Sequence, residues 1–167
     1  MTGSSDAFYI LFVCTGNTCR SPMAEGALRV LLEQQRPGKS IVKSAGIAAA
    51  NGFPATMYAI EAAKIWSCDL TRHRSQMLTR ALIDEADLIF GMTSEHVKEI
   101  LRQVPGASTR TYLFKNFPES RSKGEPVEDP IGQELERYNA TFLELGEYLG
   151  KYMPEIVQRI DEKLIRS

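Results

Sequence analysis

A six-residue run of apolar and aromatic side chains, Phe8 to Val13, stops at Cys14 and gives way to Thr15-Gly16-Asn17-Thr18-Cys19-Arg20-Ser21-Pro22. The run has the length and composition of a buried strand. Ser21 and Pro22 read as a helix N-cap followed by proline at the first helical position, where its missing N–H is no loss. A strand, a tight loop and a helix N-terminus in succession gather backbone N–H groups into a concave anion site. No other segment restricts the fold as much, because a helix must leave the very end of a buried strand.

The rest of the chain alternates in the same way. Met23, Ala24, Ala27, Leu28, Leu31 and Leu32 recur at helical spacing, with Glu25, Arg29, Glu33 and Arg36 assigned to the outer face and Pro37-Gly38 ending the helix. Ile41 to Ser44 reads as a second strand, 47–54 as a loop, Ala55 to Trp66 as a helix and Asp87 to Met92 as a third strand. A helix from Ser94 to Gln103, opened by Ser94, precedes a fourth strand, Thr111 to Phe114. Asn116 to Gly132 is a long loop with three prolines, and loops of that length in a compact domain usually serve function. From Gln133 the chain is helical, with Pro154 expected to break or kink it. Residues 1–7 read as a flexible polar tail and 8–167 as one domain. Strands alternating with helices imply an α/β fold with a parallel sheet and helices on both faces. Ligands of such sheets bind beyond the C-terminal strand ends, where Cys14 falls.

Composition narrows the classes of function. The 167 residues, 43% of them hydrophobic, suit a single core, and 20 Lys plus Arg against 21 Asp plus Glu create no field that points to nucleic acid or a membrane surface. Three cysteines without regular spacing argue for a reducing compartment, and the polar start lacks the basic region of a signal peptide, so a cytoplasmic location is expected. No stretch reaches transmembrane length. No His, Cys and carboxylate cluster has metal-ligand spacing, and the Cys14–Cys19 pair alone is weak, so neither metal nor cofactor is expected.

The loop supplies chemistry. Arg20 and a helix N-terminus favour the thiolate of Cys14, so the expected thiol pKa lies well below about 8.5. Gly16 and Asn17 tolerate the left-handed backbone that turns N–H groups inward. The planar fork of Arg20 can hold two phosphoryl oxygens, and the Ser21 hydroxyl can donate to the sulfur. Taken singly, a cysteine after a strand is more often a small core residue. The strand, the Gly-Asn pair, Ser-Pro and the helix together favour a nucleophile facing a bound oxyanion.

Residues 13–25, Val-Cys-Thr-Gly-Asn-Thr-Cys-Arg-Ser-Pro-Met-Ala-Glu, resemble the signature of the low-molecular-weight protein phosphatases. Ser44-Ala45-Gly46, Asp69 to Ser75, Ala86 to Ile89 with Met92-Thr93, and Asp129-Pro130 extend the likeness over nearly the whole chain from residue 8. The resemblance implies a single-domain three-layer sandwich on a four-stranded parallel sheet in the order 2-1-3-4. It implies Cys14 as nucleophile, Arg20 as phosphate clamp, and Thr15, Gly16, Asn17, Thr18 and Cys19 as the loop that binds phosphate. Asp129 is implied as the acid that protonates the leaving group. It implies that Ser21, Ser44 and His73 fix Asn17, and that Cys14 and Cys19 can close into a protective disulfide. His96, without an evident partner, is expected at the surface, and Cys68 in the core. The expected partners are a phosphorylated protein and phosphate.

Thr18 stands where tyrosine phosphatases of this family usually carry Ile or Leu, and resembles the protein-arginine-phosphatase branch. Ile131, after Asp-Pro, fits neither the aromatic residues of the tyrosine enzymes nor the Phe of the arginine branch. Hydrolysis of phosphoarginine on proteins is the favoured expectation, with a tyrosine phosphatase as the alternative. An arsenate reductase is disfavoured, because no cysteine follows Cys68.

Overall fold

The protein is described by a computed structural model covering residues 7–119 and 124–166. Four strands, β1 (Phe8–Cys14), β2 (Ser40–Gly46), β3 (Leu88–Gly91) and β4 (Thr111–Leu113), form one parallel sheet in the order β2-β1-β3-β4. This is the expected topology. Five helices accompany it: α1 (Arg20–Gln35), α2 (Met57–Ala63), α3 (Arg80–Glu85), α4 (Ser94–Gln103) and α5 (Leu135–Arg166).

Alternation along β1 divides the core. Ile10, Phe12 and Cys14 pack with residues of α1, α2 and α5, whereas Leu11 and Val13 pack with Ile83 of α3 and Ile100 of α4. Both faces are covered, which is why the strand is apolar without interruption. Phe12 stacks on Phe90 at 5.3 Å between ring centroids, and Phe114 packs edge-on against Phe90 at 5.7 Å. All three rings are completely buried. Truncating one to Ala would cost about 3–5 kcal/mol.

Several boundaries differ from expectation. Helix α1 starts at Arg20, with Cys19 at its N-cap and no side-chain cap, so Ser21 and Pro22 lie inside the first turn. Pro22 still forfeits only an N–H that has no helical partner. Glu25, expected to face outward, is 8% exposed, because β2 covers that side of α1. The second helix is shorter than expected, ending in a one-turn 3-10 segment, Lys64–Trp66, and α3 lies in a stretch with no such expectation. Helix α4 is capped by Thr93 rather than Ser94.

Pro154 does not break α5, which continues from Leu135 to Arg166. Burial of Tyr152, Met153, Ile156 and Ile160 around the proline outweighs the lost hydrogen bond. The Tyr152 hydroxyl donates to the Phe114 carbonyl at 2.6 Å, docking the helix beside β4. The expected tail lies outside the described residues except for Ala7, whose carbonyl accepts from Lys163 Nζ at 2.7 Å. Among the described residues no helix is long and apolar enough to cross a membrane.

Candidate active site

The C-terminal ends of β1, β2 and β3 meet in register, with Cys14 beside Gly46 and Val13 beside Gly91. From that edge the chain turns through residues 15–19 into α1. The turn requires one left-handed residue, and Asn17 supplies it at φ 59°; Gly16 does not take a positive φ. Gly46 has to be glycine, since a Cβ there would strike the Thr15 carbonyl and lie 3.0 Å from the Asn17 nitrogen.

Asn17, completely buried, is the hub of the loop. Its Nδ2 donates to Ser21 Oγ (2.8 Å) and Ser44 Oγ (2.9 Å), and its Oδ1 accepts from the Gln76 backbone N–H (2.9 Å). His73 meets Asn17 at its backbone: Nε2 lies 2.7 Å from the Asn17 carbonyl oxygen. The Ser44 hydroxyl donates in turn to Glu25 at 2.6 Å. Glu25 and Gln76 thus belong to the scaffold, although neither was singled out from the sequence. Glu25 also pairs with Arg29 at 2.7 Å, so the inward carboxylate keeps a cation.

The Cys14 sulfur lies 2.8 Å from Ser21 Oγ and accepts from the Asn17 backbone N–H at 3.3 Å. Burial pushes the thiol pKa up, against the Ser21 hydroxyl, the Arg20 charge and the Ser21 and Asn17 N–H groups, all of which pull it down. The expectation of a depressed pKa counted only the stabilising groups; desolvation of Cys14, a residue 2% exposed, outweighs them.

Arg20 is buried and reaches across the sequence. One Nη donates to the Val127 carbonyl (3.1 Å); the other reaches both Thr15 Oγ and Asp129 Oδ2 at 3.4 Å. Asp129 comes from the long loop, with its side chain 41% exposed and its other oxygen accepting from the Ile131 N–H at 3.1 Å. Thr18 is half-buried at the loop's edge, and its carbonyl accepts from the Thr56 N–H at 3.0 Å. Cys19 Sγ sits 3.5 Å from both Thr56 Oγ and the Tyr138 hydroxyl. Cys14, Cys19 and Cys68 are all free thiols.

His96 overturns its expectation. It is 1% exposed, with Nε2 at 2.9 Å from Thr15 Oγ and Nδ1 at 3.1 Å from the Thr93 nitrogen. Its pKa is pushed down to about 4 by burial first and by Arg20 second. The signal in the sequence was its position in a first helical turn after Thr93, where a side chain can bond the N-cap N–H.

A buried sulfur contacted by the Ser21 hydroxyl and the Asn17 N–H, with Arg20 joined to a carboxylate 109 residues further along, defines a cysteine-centred oxyanion site. The chain belongs to the family described as low molecular weight phosphotyrosine protein phosphatase, which it matches over residues 9–164. It is 39% identical over 157 residues to the protein-arginine-phosphatase of Geobacillus stearothermophilus, covering 94% of this chain and 96% of that protein. A low molecular weight protein tyrosine phosphatase from T. tengcongensis superposes with a TM-score of 0.82 at 35% identity, over 89% of this chain and 99% of that one. A cysteine mutant of the YwlE arginine phosphatase, solved with a phosphorylated active-site serine, superposes with a TM-score of 0.78 at 36% identity, over 85% and 91% of the two chains. The protein is a phosphatase of this low-molecular-weight class, acting on phosphorylated protein.

Proposed function

We propose that this chain hydrolyses phosphoarginine on proteins through a phosphocysteine intermediate. The observation that carries the mechanism is Arg20 bridging Thr15 of the loop and Asp129 of the long loop while its charge acts on the Cys14 thiol. In the first step the deprotonated sulfur attacks phosphorus, forming an S–P bond as the P–N bond breaks, and Asp129 delivers its proton to the departing guanidine nitrogen. In the second, Asp129 takes a proton from water, which displaces the sulfur and releases phosphate. The N–H groups of residues 15–19 and the fork of Arg20 hold the equatorial oxygens. The long 3.4 Å contact from Arg20 to Asp129 is one that a phosphoryl oxygen can displace. Ser21, 2.8 Å from the sulfur, favours the thiolate as nucleophile and as leaving group.

Thr18 and the Geobacillus relative support phosphoarginine over phosphotyrosine. A small hydroxyl side chain at the pocket edge suits a charged guanidinium, whereas Ile adds apolar bulk that suits an aromatic ring. The tyrosine reading is favoured by the T. tengcongensis structure. Values of kcat/KM on phosphoarginine and phosphotyrosine proteins decide between them. Wild type is expected to prefer phosphoarginine, and Thr18→Ile to shift the preference toward phosphotyrosine by about 10- to 200-fold. A wild-type preference for phosphotyrosine would replace this reading with the tyrosine alternative.

Three free cysteines support a cytoplasmic location. Peroxide would convert Cys14 to a sulfenic acid, which Cys19 can condense with to a disulfide, releasing water. For that, Cys19 must leave Thr56 and Tyr138.

A further inference from the structure

The phosphatase mechanism leaves His96 without a task, although this side chain is almost fully buried against the site. Its tautomer follows from its neighbours. The Thr93 backbone N–H can only donate, and it faces Nδ1 at 3.1 Å, with the Thr93 hydroxyl 3.2 Å from the same nitrogen. Nδ1 is therefore an acceptor, and Nε2 carries the proton. Nε2 donates that proton to Thr15 Oγ, 2.9 Å away, and Arg20 Nη2 donates to the same oxygen from 3.4 Å. A hydroxyl has two lone pairs and one proton. Both hydrogen bonds recorded for Thr15 Oγ among the described residues use it as acceptor, which leaves its proton to be donated. Thr15 is exposed and directly follows Cys14. The approach depends on Gly91, where a Cβ would stand 3.2 Å from His96 Cβ and 3.0 Å from the Val97 nitrogen.

We propose that His96 is a positioning residue for the phosphate site: by donating to Thr15 Oγ it turns the Thr15 hydroxyl proton toward an oxygen of the bound phosphoryl group. The inference rests on the phosphatase reading above. It adds a side-chain donor to the backbone donors of the loop, held in its direction before the ligand arrives, so that no reorganisation is needed on binding. It also gives Arg20 an oxygen to lean on that carries no charge and so does not compete with phosphate.

His96 also closes a capping box with Thr93 at the start of α4, and a purely structural role would end there. A double-mutant cycle separates the two roles. His96→Asn keeps an acceptor for the Thr93 N–H but is too short to reach Thr15; Thr15→Val removes the hydroxyl at constant shape, and Thr15→Ser retains it. The measurements are the Kd of inorganic phosphate by calorimetry, and kcat and KM on a phosphorylated protein. His96→Asn and Thr15→Val are each expected to weaken phosphate binding and lower kcat/KM by about tenfold, the worth of one hydrogen bond to a charged ligand. Thr15→Ser should restore binding to within about twofold of wild type. The double variant should be no worse than either single one. Equal cost of His96→Asn with and without the Thr15 hydroxyl would overturn the proposal, as would unchanged phosphate binding in Thr15→Val, whose exposed position leaves the fold intact. A wild type that turns over no phosphoprotein would overturn the phosphatase reading instead, while the phosphate Kd still reports on the hydroxyl.

Discussion

The two segments that meet at the site are built in opposite ways. The loop from Cys14 to Ser21 is buried at its centre and braced at every polar atom that matters: Asn17 alone bonds Ser21, Ser44, Gln76 and His73. The segment carrying Asp129 lies at the surface, with Val127 and Pro130 buried as anchors and Glu128, Asp129 and Ile131 exposed. It is tied to the loop chiefly through Arg20, by one contact to the Val127 carbonyl and one to Asp129. The first segment must present fixed donors to a charge, which calls for preorganisation. On the mechanism proposed above the second delivers a proton to leaving groups of different protein substrates, and an exposed carboxylate on a long loop can adapt to them. Rigidity in one and accessibility in the other follow from these tasks.

The largest effect is expected at Cys14, in the rigid segment. Cys14→Ser is expected to reduce turnover by several orders of magnitude while phosphate binding stays close to wild type, because Arg20 and the loop N–H groups remain. Retention of a tenth of the wild-type rate would exclude the covalent route. Arg20→Lys replaces a fork with a point charge, and should cost about 10²–10³-fold in kcat/KM and weaken phosphate binding as well. Comparing the two variants by phosphate titration tests whether the loop holds the anion without the nucleophile.

In the accessible segment, Asp129→Asn should lower kcat on phosphoprotein by about 10²–10⁴-fold. The loss should be much smaller on an aryl phosphate whose leaving group departs without a proton. Equal losses on both substrates would remove Asp129 from the acid role and reduce the contrast between the segments to one of burial alone.

A further prediction concerns stability. In the folded protein His96 takes up its proton only near pH 4, because burial and Arg20 oppose the charge, with Asp129 acting weakly the other way. The unfolded chain binds that proton near 6.5, so the unfolded state holds more protons between these values. Stability from the neutral ring is therefore complete above 6.5 and is lost as pH falls toward 4, by roughly 3 kcal/mol in all. Urea midpoints at pH 7.5 and pH 4.5 should move further apart in wild type than in His96→Asn. Equal shifts would show that the ring is not held neutral.

Much of this was legible in the sequence, and the reasons are local. Phe8 to Val13 is a strand because an uninterrupted apolar run of that length has nowhere to go except between two layers. The loop after it carries residue types each suited to one position: Asn17 for the left-handed turn, Arg20 for oxyanions, Ser21 for the sulfur. The sheet order was implied by the family signature, not by any pattern of spacing. What misled were single residues judged without their neighbours. Glu25 lies on the charged face of α1 by periodicity, yet Ser44 and Arg29 receive it inside. Pro154 is a helix breaker by propensity, yet α5 is held by its packing.

The sequence by itself determined the strand–loop–helix unit with its candidate nucleophile and candidate anion cradle, since those depend on residues close together along the chain. Only the tertiary structure shows how distant groups reach the site and adds those that the sequence did not point to. Arg20 meets Val127 and Asp129 because the long loop folds back over the sheet edge. His96 meets Thr15 because Gly91 at the end of β3 lets α4 approach the end of β1. The same packing raises the Cys14 thiol pKa, because desolvation depends on what covers the sulfur, and no spacing along the chain records that.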